Sequence, residues 1–178
     1  VEIYAVDQYF MRGGPVVISA GNFVMLPDPY TGGLGLKAVN NGLNDMLASY
    51  GVNISKTLIL DPQNEPFPVP VMREIAGVQI REIQAIDYPF FVDVRSDGMN
   101  GESPILSSLP ALTLNWASPI DVGELSDTKH DVTVLLQSSL ESWTSSDTNI
   151  QPNKDEYPEF GFPIGADRKQ HTIAVSVV

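Results

Sequence analysis

The first sixty residues alternate between two hydrophobic periods, and this alternation limits the available folds more than any other feature of the chain. Ile3, Val6 and Phe10 recur at i, i+3 and i+7, which predicts a short amphipathic helix over residues 2–12. The run "PVVISA" (Pro15 to Ala20) is β-branched and nearly continuous, as expected of a strand buried on both faces. Leu36, Val39, Leu43, Met46, Leu47 and Tyr50 then make one stripe of a longer helix, with Gly51 at its C′ position. Gly42 inside that stripe costs about 1 kcal/mol relative to alanine, so packing has to offset it. "KTLIL" (Lys56 to Leu60) is a second buried strand, closed by Asp61-Pro62. Helix, strand, helix, strand at this spacing predicts an α/β fold, a mostly parallel sheet flanked by helices.

Beyond Asp61 the texture changes. "PQNEPFPVP" (Pro62 to Pro70) holds four prolines in nine residues and is expected to be extended loop. "VQIREIQAI", "PFFVDV", "ALTLNWA", "DVTVLLQS" and the C-terminal "HTIAVSVV" have the composition of strands. Residues 145–168, with Asp147, Asp155, Glu156 and Glu159 among prolines and glycines, suggest a long surface loop. A length of 178 residues fits one domain spanning 1–178. The start at Val1, with no basic or signal-like segment, leads us to expect a domain excised from a longer, membrane-anchored protein.

The glycines invite a phosphate-binding reading. Phosphate loops follow a strand and precede a helix, so that helical N–H groups face the anion. Arg12-Gly13-Gly14 has the reverse order, and is expected to be a helix C-cap. Gly33-Leu34-Gly35-Leu36-Lys37-Ala38 fits G-x-G-x-x-A, and Asp61 lies after the next predicted strand, where a ribose-binding acid would be. The preceding strand ends near Ala20, too far upstream for the tight turn that fingerprint needs. Gly33, Gly35 and Asp61 are therefore weak ligand-binding candidates, and a glycine-rich loop entering a helix is the plainer expectation.

Other chemistry lacks a motif. His130 and His171 show no zinc-binding spacing, and no G-x-S-x-G elbow is present, although Ser138, Ser139 and His130 are candidates to meet in space. Asp93, Asp97, Gly98 and Glu102 suggest a calcium loop, but Arg95 and Pro104 occupy ligand positions and break the match. No catalytic residue, metal ligand or cofactor is assigned. Ten Lys and Arg against 22 Asp and Glu, a formal charge of −12, argue against nucleic acid and anionic membrane surfaces. The chain has no cysteine, which excludes disulfides and thiolate chemistry.

"AVDQYFMRGGPVVISA" (Ala5 to Ala20), "LNDMLASYGVNISKTLILDPQN" (Leu43 to Asn64) and "VTVLLQSSLESW" (Val132 to Trp143) resemble the auxiliary-component family of uncharacterised ABC-type transport systems. This is the GldG-like family, linked to gliding motility in some bacteria. The resemblance implies an extracytoplasmic, non-catalytic domain working with a separate permease and ATPase. It also implies an α/β domain akin to flavodoxin-like or glutamine-amidotransferase-like sheets, related to a domain of an intraflagellar transport protein. Family members usually have a strand before the first helix, and this sequence is expected to begin after it. Its absence here would leave an open sheet edge or invite pairing with another chain, and a homo-oligomer is among the expected partners. The strand after Arg-Gly-Gly often leads to Asp-Pro, but here it leads to "SAGNF", with Asp28-Pro29 coming later. The alternative function is a small-ligand domain, for a sugar or nucleotide, using the Gly32 to Gly35 loop beside Asp61.

Overall fold

The computed structural model describes residues 2–27, 33–75, 77–123 and 130–178. Helix α1 (Glu2–Phe10) is followed by β1 (Phe23–Pro27), β2 (Leu34–Ala38), helix α2 (Asn44–Ala48), β3 (Val52–Ile54) and β4 (Leu58–Leu60). Then come β5 (Phe67–Ile75), β6 (Val78–Ile86), β7 (Phe91–Val94), β8 (Leu112–Asn115) and β9 (Ile120–Val122). The chain ends with β10 (Val132–Gln137), β11 (Trp143–Ser145) and β12 (Thr172–Val177). Among the described residues every strand pairing is antiparallel, in two-stranded sheets β1–β2, β3–β9, β4–β11, β5–β6, β7–β8 and β10–β12.

The α/β expectation is thereby corrected: the fold is neither flavodoxin-like nor glutamine-amidotransferase-like. Such folds need parallel neighbours with helices between them. Here the strands find antiparallel partners distant in sequence, such as β4 with β11 and β3 with β9. The expected helix over the Leu36 to Tyr50 stripe fails for a local reason. Asn40 Oδ1 accepts from Gly42 N–H at 3.0 Å and Asn41 Oδ1 from Leu43 N–H at 2.8 Å, two side-chain turns that compete with helical bonding. Gly42 adopts φ +70, so only Asn44–Ala48 is helical and Leu36 joins a strand opposite Met25.

Two further expectations change. Among the described residues Pro15 to Ala20 joins no sheet, and residues 15–20 make no backbone hydrogen bond to any described residue. The proline-rich stretch becomes strand from Phe67 onward. Pro68 and Pro70 fit there because β5 pairs on one side only, and a proline nitrogen can face the unpaired edge. The first helix and its cap are as expected. Gly14 N–H bonds Tyr9 C=O at 3.1 Å and Gly13 N–H bonds Phe10 C=O at 2.8 Å, with Gly13 at φ +81, which is a Schellman ending.

The core is organised around β4 and β7, every residue of which is buried. Side chains alternate along β4, so Leu58 and Leu60 enter one cluster with Phe90, Phe91, Trp143 and Phe162, while Ile59 enters a second with Val92, Val94 and Leu136. Each fully buried aliphatic or aromatic side chain contributes about 1.5–3 kcal/mol. Residues 146–171 hold no regular element, but they are more than surface loop. Ile150 and Phe162 are buried in the first cluster, and Tyr88 Oη donates to Ile150 C=O at 2.8 Å.

Candidate functional site

An apolar groove of about 720 Å³ lies among the described residues, within the usual volume range for ligand sites. One wall is α1 with the Val16 to Gly21 segment. The floor comes from Val52 and Ile54 of β3, residues 114–117 at the end of β8, and Ile173 to Val177 of β12. The β-branched run that suggested a buried strand therefore edges an open groove. Val17 is 98% exposed, and Ile18 is also exposed.

Helix α1 is held in place by one aromatic anchor. Phe10 meets Tyr50 edge-on, ring centroids 4.9 Å apart, and Tyr50 Oη donates to Asp7 Oδ1 at 2.7 Å. The Tyr50 phenol is raised above its ordinary value, first by this hydrogen bond and then by burial and the nearby negative charge. Asp7 interrupts the apolar stripe between Val6 and Phe10, and that is the signal by which sequence could have marked it as having a partner. Sequence reasoning missed both Asp7 and Tyr50 as site residues.

Asp61 occupies a different place. It is completely buried, and its carboxylate accepts from Ser139 N–H (2.7 Å), Ser139 Oγ (2.6 Å) and Gln63 N–H (2.8 Å). Gly33 lies just before β2, and Gly35 is within β2 opposite Leu26, so the G-x-G-x-x-A match falls on a strand and not at the start of a helix. Neither glycine lines the groove, and nor does Asp61. Gly32 and Asp28-Pro29 lie outside the described residues.

The serine candidates are engaged with backbone. His171 N–H donates to Ser138 Oγ at 2.7 Å, Ser138 and Ser142 hydroxyls are 2.6 Å apart, and Ser142 Oγ donates to Lys169 C=O at 2.7 Å. The proton order is thus set: Ser138 donates to Ser142. This clasp ties the start of β12 to the turn before β11. His130 is elsewhere, its ring 5.1 Å from that of Tyr50. Among the described residues no group of His, Asp and Glu is arranged to hold a metal ion.

The His171 ring is buried, and its Nε2 has no hydrogen-bond partner. Burial chiefly, and Lys169 next, lower its pKa, while Asp121 and Asp61 partly oppose them. Because the folded value lies below the unfolded value of about 6.5, the unfolded chain takes up the proton first as pH falls. This contribution is complete above that pH and is lost below it. Urea unfolding at pH 7.5 and pH 5.5 should show wild type losing stability on acidification. His171→Leu, similar in volume, should lose less, and an equal loss in both would remove His171 from the account.

A family model described as an ABC-type uncharacterised transport system matches residues 1–177. The chain belongs to that family and is an auxiliary component of an ABC-type transport system. No curated protein matches it. No solved structure matches it.

Proposed function

We propose that this chain is a non-catalytic, extracytoplasmic domain of the auxiliary component, acting by contact with the permease of its transport system and, through the permease, with the ATPase. The anchor would be membrane segments of the full protein. The observation that carries this reading is the apolar groove edged by residues 15–20, whose backbone hydrogen-bonds to no backbone group among the described residues. Such an edge offers main-chain donors and acceptors beside an apolar floor, the requirements for taking up an extended segment of another protein. Membership of a transport family supports a partner within the transporter.

The ligand alternative receives less support. Asp61 directs both carboxylate oxygens to Ser139, and Gly35 is committed to a strand.

The test uses the full auxiliary protein purified with its transporter from membranes. Val17→Asp places a charge at an almost fully exposed position, so folding is retained. It should reduce permease co-purification by about tenfold, equivalent to about 1.4 kcal/mol. A photoreactive residue at position 17 should cross-link to the permease. Unchanged co-purification together with no cross-link would overturn the proposal. Stabilisation of the chain by a sugar or nucleotide would favour the ligand reading over it.

A further inference from the structure

The β5–β6 hairpin is largely exposed. It pairs nine residues with nine, from Phe67 opposite Ile86 to Ile75 opposite Val78, and among the described residues no other strand pairs with either edge. Eight of the nine β6 residues are exposed. They include Val78, Ile80 and Ile83, the last at 72% exposure, and Met72 and Ile75 join them from β5. A lone two-stranded ribbon is marginal in water, and a long apolar edge left open is a site for pairing with another chain.

The two edges are not equivalent. A proline sits in a paired strand where its nitrogen faces away from the partner, so the outer edge of β5 lacks donors at Pro68 and Pro70. The edge of β6 contains no proline. The partners of those prolines, Ala85 and Ile83, likewise turn their N–H groups outward, as do Arg81 and Gln79 in the same alternation. The β6 edge is therefore complete in donors over nine residues, a span of about 30 Å.

Charge selects the occupant. The chain as a whole carries −12. The arm from Phe67 to Ile86 carries Arg73 and Arg81 against Glu74 and Glu82, and so is neutral. A cationic partner would be drawn to the acidic remainder of the chain and not to the arm. Two copies of this chain carry the same net charge of −12, and the arm, where each presents equal numbers of both signs, adds nothing to their mutual repulsion. We propose that the arm is a self-association element, in which β6 pairs antiparallel with β6 of a second copy about a two-fold axis normal to the sheet. The product is a four-stranded sheet in the order β5, β6, partner β6, partner β5. This axis keeps Val78, Ile80, Glu82 and Gln84 of both copies on one face. The proposal is independent of any contact with the transporter.

Sedimentation of the protein of residues 1–178 tests it. Wild type should show a concentration-dependent monomer–dimer equilibrium. Ile83→Pro removes one outward donor and no bond within the hairpin, and should weaken dimerisation about tenfold or more with an unchanged circular dichroism spectrum. Arg81→Glu, at an exposed position, is the second variant should the proline prevent folding. It turns the balanced arm acidic, and should weaken dimerisation at low salt and less so at high salt. A wild type that remains monomeric at about 200 μM, weaker than a useful affinity scale allows, overturns the proposal. So does a dimer that both variants leave unchanged.

Discussion

Asp61→Ala should destabilise the chain by about 3–5 kcal/mol, because it removes the acceptor of three hydrogen bonds at a site without solvent. The loss is larger than that of an ordinary surface contact. Each donor left behind, the N–H groups of Gln63 and Ser139 and the Ser139 hydroxyl, loses its partner at a half-buried position. Bonds to an ionised acceptor are also stronger than neutral ones. Asp61→Asn keeps the shape but turns one oxygen into a donor facing Ser139 N–H, and should lose a similar or somewhat smaller amount. Urea denaturation with an unchanged m-value would place the effect in the folded state. A loss under about 1 kcal/mol for Asp61→Ala would show that the carboxylate does not anchor the Ser139 turn. Either variant should lower stability with no ligand added, which separates an anchor from a ligand-binding acid.

The reason Asp61 looked like a ligand contact in sequence is that its partner is 78 residues away. Local pattern shows a carboxylate after an apolar strand, and it does not show what closes over it. The same limit explains the sheet. "LIL", "VQIREIQAI" and "FVDV" announced themselves as strands by composition, and they are strands. Whether a strand pairs parallel or antiparallel is decided by neighbours far along the chain, so the short helix–strand alternation at the start pointed to the wrong class. Helix α1 and its glycine ending were legible because both depend on bonds within five residues.

The Leu36 to Tyr50 stripe failed for another reason. Its apolar spacing matched a helix across Asn40-Asn41-Gly42, three residues whose turn chemistry is also local and was given too little weight. As for the groove, Val16 to Ile18 were legible as an apolar, β-branched run, but not as an unpaired one. A run of that composition is ordinarily covered by neighbouring strands. Finding it open is what moves it from core to candidate contact surface, and only coordinates can show that.

Phe90→Ala should cost about 3–5 kcal/mol, a large share of the roughly 5–15 kcal/mol that holds a domain of this kind folded. Phe90 is 1% exposed, and its ring meets Phe162 edge-on with centroids 4.9 Å apart and Tyr88 at 5.6 Å. Truncation loses the transfer free energy of the ring and leaves a cavity that the flanking β4 and β7, buried throughout, cannot readily close. The edge-on pair adds a specific term of about 0.5–1.5 kcal/mol, measurable as the coupling in a cycle with Phe162→Ala. Phe162 belongs to the segment between β11 and β12, which has no backbone ladder of its own, so its order depends on seating that ring against Phe90. Hydrogen exchange in Phe90→Ala should therefore accelerate first at Asn153, Tyr157 and Gly161, whose N–H groups bond within that segment. It should change less at Trp143 and Leu60, which remain paired in the β4–β11 ladder. Uniform acceleration across both regions would mean that the segment unfolds only with the whole domain, and that the aromatic contact does not hold it separately.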